Sequence, residues 1–360
     1  MKLAIIGTDG LPARYGGFET FAMEVSPHLV RMGHEVRVVG SSVGRARDEQ
    51  GPPGVQIRNL PIKANGVSSI PFDLVSLASV CRWADAVLLL GVSAGPFVPV
   101  MRRMVRGGNL IVNVDGLESR RAKWSSTGKR YLALAERIAI RGARHVVSDN
   151  MGLTEIIARD HQLSAFTIAY GNDHVRMVDA AQRRALLAEY GLEQDNYLLT
   201  VARIEPENNI DMMLDAIPED IATPHVIVGN FNASAYGQEL LARYRDRRHV
   251  RLLSAIYDPT KLAALRSGCH AYLHGHSVGG TNPSLVEILP YGVPVLCFDC
   301  SFNRYTMGGH GGYFTSAADL RQTLISGNLG QYCPPAEMSN DPRYKWAAIA
   351  ENYARLAFAP

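Results

Sequence analysis

No stretch of about 18 uncharged apolar residues occurs anywhere in the chain, so a membrane-spanning helix is not expected. Met1-Lys2-Leu3-Ala4-Ile5-Ile6-Gly7 runs straight into a strand pattern, without the apolar region and cleavage site of a signal peptide. Cysteine is scarce. Cys81, Cys269, Cys297, Cys300 and Cys333 form an odd, scattered set that excludes a disulfide framework and fits a reducing cytoplasm. Cys297 and Cys300 make a C-x-x-C pair with no second pair at zinc spacing, which reads as structural thiols. There is no D-x-D triplet, so a metal carried by a nucleotide has no evident protein ligand; no metal site and no cofactor are expected. The spacing G-x-G-x-x-G is absent, and Val38-Val39-Gly40 ends the second strand pattern without an acidic residue, against a dinucleotide site. The arginine runs lack interleaved aromatics, which argues against a nucleic-acid partner.

What is present points to two domains. A chain of 360 residues with 47% hydrophobic and 20% charged residues is ordinary for a globular protein but long for one core. Its net charge of +3 hides an asymmetry: residues 1–171 carry 21 Lys and Arg against 14 Asp and Glu, and residues 172–360 carry 16 against 20. The basic half includes Arg102, Arg103, Arg106, Arg120, Arg121, Lys123, Lys129, Arg130, Arg137, Arg141 and Arg144. Such a cluster suits an anionic membrane surface or a phosphorylated acceptor, and equally a solvated helix face.

Short apolar runs alternate with helical patterns. Strands are predicted at 3–6, 35–39, 55–60, 86–90, 110–114, 145–148 and 166–169, then at 197–202, 226–228, 250–253, 271–273 and 295–298. Helices are predicted at 17–32 and 129–141, then at 210–216, 235–244, 259–267, 283–291 and 317–326. This β-α alternation implies parallel sheets covered on both faces, built twice with a break near 170–178. The last helix, 344–358, carries Trp346, Ile349, Tyr353 and Leu356 on one apolar face that must be covered.

Two glycine-centred turns stand out. Gly7–Thr20 follows the first strand, and Ser277–Glu287 follows the strand at 271–273. Each reads as strand, turn and helix start, where unpaired N–H groups and the helix dipole favour anions. Gly16 and Gly17 let the backbone approach a ligand closely. Gly279, Gly280, Thr281, Asn282 and Ser284 form the second cradle, with Thr281 and Asn282 as cap residues and Pro283 in the first turn. Arg203 follows the strand at 197–202, where a guanidinium can fork onto phosphate oxygens. Asp115, next to Gly116 and Glu118, follows the strand at 110–114 and can orient an acceptor hydroxyl or take its proton. His274 and His276 end a strand, where ligand contact and packing are equally open.

These stretches, with Arg121-Ala122-Lys123-Trp124 and Ala202–Ile210, run in order over nearly the whole chain. Together they resemble a retaining GT-B glycosyltransferase of the family 4 type, and more closely the bacterial polysaccharide rhamnosyltransferase subgroup. The resemblance implies an α/β GT-B fold: two facing doubly wound Rossmann-like domains and a C-terminal crossover helix. Residues 1–171, with helix 344–358 packed back on them, would bind the acceptor; residues 172–343 would bind the nucleotide sugar. It implies that Arg203 and the residue five positions on grip the donor diphosphate; that residue is Lys in the wider family and Asn208 here, as in the subgroup. Glu287 would accept hydrogen bonds from the ribose hydroxyls. A first acid normally placed ahead of it is replaced by Gly279, compatible with a deoxy sugar. Asp115 stands where the wider family often has His and, with Arg203, is the catalytic candidate; Glu19, Glu118 and Arg121 join it toward the acceptor. The expected reaction moves L-rhamnose from dTDP-rhamnose, with retention and without metal, onto a hydroxyl of a lipid-linked or growing surface polysaccharide. The expected place is the cytoplasm, peripheral at the inner face of the membrane. Alternatives are a nucleotide-sugar epimerase or hydrolase on the same fold, and a non-catalytic partner in glycan assembly.

Overall fold

The computed structural model describes residues 1–13, 16–45, 50–114, 116, 125–218 and 223–358 (for Val67, the backbone only). The chain divides into two compact units, Met1–Gly171 with Pro342–Pro360, and Asn172–Asp341.

Among the described residues the first unit is built on seven parallel strands: β1 (Lys2–Ile6), β2 (Glu35–Ser41), β3 (Val55–Leu60), β4 (Ala86–Leu90), β5 (Leu110–Val114), β6 (His145–Ser148) and β7 (Phe166–Thr167), in the order β3-β2-β1-β4-β5-β6-β7. Central strands of a parallel sheet lie under helices on both faces, so they need apolar side chains in both directions. Ala86-Val87-Leu88-Leu89-Leu90 and Leu110-Ile111-Val112-Asn113-Val114 meet that need, and every residue of both is buried. The helix Gly17–Arg31 turns Phe21, Ala22, Val25 and Leu29 onto Leu3, Ile5, Val36 and Leu88.

The helix Trp346–Phe358 completes this core although it lies at the far end of the chain. Trp346, Ile349, Ala350, Tyr353, Ala354 and Ala357 are buried among the residues above, with Leu356 packed at the edge. Phe21 and Tyr353 meet edge-to-face with centroids 5.1 Å apart. Asn113 Nδ2 donates to Tyr353 Oη at 2.7 Å, which gives the amide N–H a partner inside the sheet. Gly171 is needed for this docking, since a Cβ there would lie 2.5 Å from the Trp346 indole.

Among the described residues the second unit has six parallel strands: β8 (Leu198–Val201), β9 (His225–Val228), β10 (Val250–Leu253), β11 (Ala271–His274), β12 (Val295–Phe298) and β13 (Gly312–Phe314), in the order β10-β9-β8-β11-β12-β13. The edge strand β13 is absent from the sequence reading, because three residues are too few to show a period. The helix expected over 283–291 is broken. It stops at Val286 and resumes as a 3₁₀ turn, Leu289–Tyr291. Pro290 has no N–H to give the carbonyl of Val286, and its ring would collide with it.

Both sheets reverse direction once. After β1 the chain builds outward to β3, then returns to place β4 on the other side of β1; β8 and β11 do the same. At such a switch point the connecting loops diverge and leave a crevice beyond the carboxyl ends of the two strands.

Candidate functional site

At the β8/β11 switch point of the second unit, two loops are joined residue by residue. Glu207 O accepts from Ser277 N at 2.9 Å and from Ser277 Oγ at 3.0 Å. Asn208 Oδ1 and His276 Nδ1 are 2.9 Å apart, and Asn209 Nδ2 donates to Gly275 O at 2.7 Å. Asn209 sits in the left-handed region at φ 48, a conformation Asn tolerates, and this turns its amide toward the β11 loop. Gly275 allows the approach, because a Cβ there would lie 2.2 Å from Asn208 O. Asn208 Nδ2 donates to Arg203 O at 2.7 Å. Asn208 is buried with its amide engaged inside the unit, so it acts on Arg203 and His276 rather than reaching outward. The Arg203 side chain is exposed, with Nη1 4.0 Å from Glu205 Oε1.

The turn after β11 carries the second set of expected residues. Gly279 takes φ 132, a backbone open essentially to glycine, and a Cβ there would lie 3.0 Å from His276 Nε2. Asn282 is the helix cap, its Oδ1 accepting from Ser284 N at 3.0 Å. At the helix tip the first N–H groups are engaged within the turn. Ser284 N is held by Asn282 Oδ1, and Leu285 N and Val286 N by Asn282 O. Gly279 and Gly280, ahead of the helix, are the backbone left to present N–H groups, with Thr281 buried beside them.

Glu287 lies between two basic groups. Arg266 Nη2 donates to Glu287 Oε2, and His174 Nε2 is 3.3 Å from Glu287 Oε1. Burial pushes this carboxyl up, but Arg266 and the hydrogen bond with His174 outweigh burial and hold it below the ordinary value. Glu287 is therefore an anion fixed in place, with lone pairs left for further donors. Sequence reasoning missed Arg266, His174 and Asn209. Only Asn209 left a trace, as the second member of an Asn-Asn pair.

In the first unit, Glu19 turns inward. Its Oε1 accepts from Thr8 Oγ1 at 2.9 Å and from Asp9 N at 2.7 Å, tying the turn after β1 to the helix Gly17–Arg31. Gly16 has φ 122, and a Cβ there would lie 2.1 Å from Glu19 Oε2. The space at Gly16, expected to admit a diphosphate, is filled by the chain's own carboxylate near a helix start that favours negative charge. Gly17 opens that helix. The buried Arg45 closes the same turn from beyond β2, donating to Pro12 O at 2.9 Å and Gly10 O at 3.0 Å. Asp115, Glu118 and Arg121 lie outside the described residues, as do Arg120 and Lys123.

The basic cluster has a definite shape. Arg102, Arg103, Arg137 and Arg141 line a cavity of about 810 Å³ between the helices Val98–Met104 and Ser126–Gly142. Val100, Met104 and Leu134 stand exposed on the same two helices. Among the described residues no helix is long and apolar enough to cross a membrane. Among them, too, no group of three or more His, Cys, Asp or Glu is placed to hold a metal ion.

Residues 182–319 match the family described as glycosyl transferases group 1, and residues 68–173 match a domain of unknown function, DUF1972. No curated protein sequence matches the chain. Among solved structures it is similar to sucrose-phosphate synthase from Thermosynechococcus elongatus, with a TM-score of 0.82 at 15% identity over 99% of this chain and 98% of that one. HepE from Anabaena, solved in complex with UDP and glucose, gives 0.73 at 16% identity over 99% and 98%. WaaG, a glycosyltransferase involved in lipopolysaccharide biosynthesis, gives 0.70 at 16% identity over the whole of both chains. The fold is that of the GT-B glycosyltransferase structures: two Rossmann-like units, each on a parallel sheet.

Proposed function

We propose that this chain is a glycosyltransferase that takes a sugar from a nucleoside-diphosphate donor bound by the second unit and transfers it to a hydroxyl of a glycan bound by the first. The observation that carries this reading is the pairing of residues 207–209 with 275–277. It holds the Arg203 loop against the Gly279-Gly280 turn, at the switch point of a unit whose residues 182–319 match glycosyl transferases group 1. HepE, of similar fold, was solved with UDP and glucose. In our reading for this chain, the diphosphate lies between the Arg203 guanidinium and the amides of Gly279 and Gly280. The ribose then falls to Glu287. Charge builds on the departing phosphate as the glycosidic bond breaks. A guanidinium and fixed amide dipoles already aimed at that charge stabilise it without reorganisation, which supports departure of the diphosphate without metal; retention is what the resemblance to family 4 enzymes implies. Asp115 orients the acceptor hydroxyl.

Our reading of the donor is dTDP-L-rhamnose. Gly279 stands where the wider family carries an acid toward the sugar, and a deoxy sugar has less for such an acid to bind. The acceptor is a lipid-linked or growing surface polysaccharide. The arginines beside Val100, Met104 and Leu134 give the first unit a face suited to the anionic inner surface of the membrane.

The test is nucleotide release from dTDP-L-rhamnose and from UDP- and GDP-linked sugars, with and without lipid-linked glycan, in EDTA. Release that depends on acceptor supports transfer, and the anomeric configuration of the product reads retention. Release without acceptor means a hydrolase, and no release from any donor overturns the reading.

A further inference from the structure

A second cavity, of about 530 Å³, lies at the β1/β4 switch point of the first unit. Gly7, just past β1, and Leu90 and Gly91, at the end of β4, form part of its wall. Gly7 makes the junction tight, since a Cβ there would lie 2.2 Å from Leu90 O. The volume falls within the range of about 300–1,000 Å³ typical of small-molecule sites, at the place where open α/β sheets bind ligands.

The lining is mixed in a particular way. Phe18 and Tyr131 supply aromatic rings, and Ile70, Val92 and Leu132 supply aliphatic surface. Asn65, Ser69, Ser93 and Thr127 supply polar groups. Tyr131 Oη is positioned by donating to Ser93 O at 3.1 Å. Within this wall lies Asp73, the single charged residue of the helix Ser69–Val80. Asp73 is 3% exposed, and no hydrogen bond or ion pair reaches its carboxyl among the described residues. A buried carboxyl without a partner is destabilising unless a ligand completes it.

We infer that this cavity binds a sugar residue of the acceptor, with Asp73 as the group that grips one of its hydroxyls. A pyranose has an apolar C–H face for the aromatic rings and a hydroxyl edge for the carboxyl, and the wall offers both. A hydrocarbon tail fits poorly, because it would leave Asp73 and the serines without partners. Burial pushes Asp73 up to about 8, so near neutral pH it is mostly protonated and can both donate to and accept from a hydroxyl. The inference rests on the glycosyltransferase reading, with the first unit on the acceptor side, and adds a specificity residue to it.

The experiment is saturation-transfer NMR on the full chain with methyl glycosides of rhamnose, glucose, galactose and N-acetylglucosamine, and 1-decanol as an apolar probe. Three variants are compared. Asp73→Leu removes the polar group, Asp73→Asn keeps one, and Ala64→Trp fills the cavity from a half-exposed wall position. Thermal shifts with UDP, dTDP and GDP are read on the same samples. The expected result is binding of at least one glycoside by the wild type. That binding is lost in Ala64→Trp, at least tenfold weaker in Asp73→Leu and partly restored in Asp73→Asn, with nucleotide shifts unchanged. The inference is overturned if no glycoside binds, if binding ignores all three variants, or if decanol is preferred. Glycosides failing while nucleotides still bind sinks the cavity alone; nucleotides failing sinks the transferase reading.

Discussion

Asn208 Oδ1 and His276 Nδ1 lie 2.9 Å apart, and through this bond the loop after β8 is fixed to the loop after β11. Asn208 Nδ2 donates to Arg203 O, so Oδ1 is the acceptor and His276 carries its proton on Nδ1. One buried amide therefore positions both the residue bearing the guanidinium and the residue packed against Gly279.

Replacing that amide should loosen the donor site more than the fold. Asn208→Leu leaves His276 Nδ1 and Arg203 O without their partner, at about 1–3 kcal/mol for a buried group. We expect the Kd for nucleoside diphosphates to rise about tenfold or more by calorimetry, corresponding to about 1.4 kcal/mol or more. Unchanged affinity would remove Asn208 from the site.

Gly279→Ala and Gly16→Ala should part company. Both positions have positive φ. At Gly279 a Cβ meets His276, and at Gly16 it meets Glu19. The first variant should lose nucleotide binding with a modest fall in Tm. The second should lower the stability of the first unit by about 1–3 kcal/mol and leave nucleotide affinity intact. Urea melts and nucleotide titrations on both variants check this.

Arg266→Leu leaves the Glu287 carboxylate with His174 as its one remaining basic neighbour among those described. Removing one partner of a buried pair destabilises by about 3–5 kcal/mol, whereas replacing both is far milder. Denaturant melts of Arg266→Leu and of Arg266→Leu with Glu287→Leu should therefore show the double variant as the more stable of the two. The opposite order would mean that Arg266 does not hold Glu287.

The two units should respond to pH in opposite senses. Asp73 is raised to about 8 by burial, so through a window of about pH 4 to 8 the folded state holds a proton that the unfolded chain has lost. Asp73 thus takes stability from the first unit as pH rises through that window, against a smaller opposite effect of His34, His145 and His161, which burial lowers. His225 and His274 are lowered to about 3 by burial, and unfolded imidazoles take up protons below about 6.5. The second unit keeps its full stability above that point and loses it as pH falls toward 3. Each group contributes at most about 1.4 kcal/mol per pH unit. Hydrogen exchange of core peptides, corrected for intrinsic rates, should slow in the first unit and quicken in the second between pH 7.5 and 5. Asp73→Asn should flatten the first slope.

Cosedimentation tests the basic face. Vesicles with anionic phosphatidylglycerol should retain the chain at low salt and release it near 0.5 M, since exposed charges are screened. Charge reversal at Arg102, Arg103, Arg137 and Arg141 should abolish retention. Equal binding to neutral phosphatidylcholine would rule the face out.

Most of the architecture was readable in the linear chain, because a parallel sheet writes itself as short apolar runs separated by helical periods. Among the described residues, twelve of the thirteen strands follow from such runs. The apolar stripe Trp346, Ile349, Tyr353 likewise announced a helix needing cover, and the helix Gly17–Arg31 supplies it. The candidate site was legible only where glycine and cap chemistry mark backbone geometry, as at Gly279 and Asn282. Tertiary structure decided the rest. Whether Glu19 faces a ligand or the Thr8 hydroxyl, which arginine pins Glu287, and that a lone Asp73 opens into a cavity all depend on which distant strands become neighbours. Hydrogen bonds and desolvation act over a few ångströms between residues far apart along the chain, and local composition carries no record of those distances.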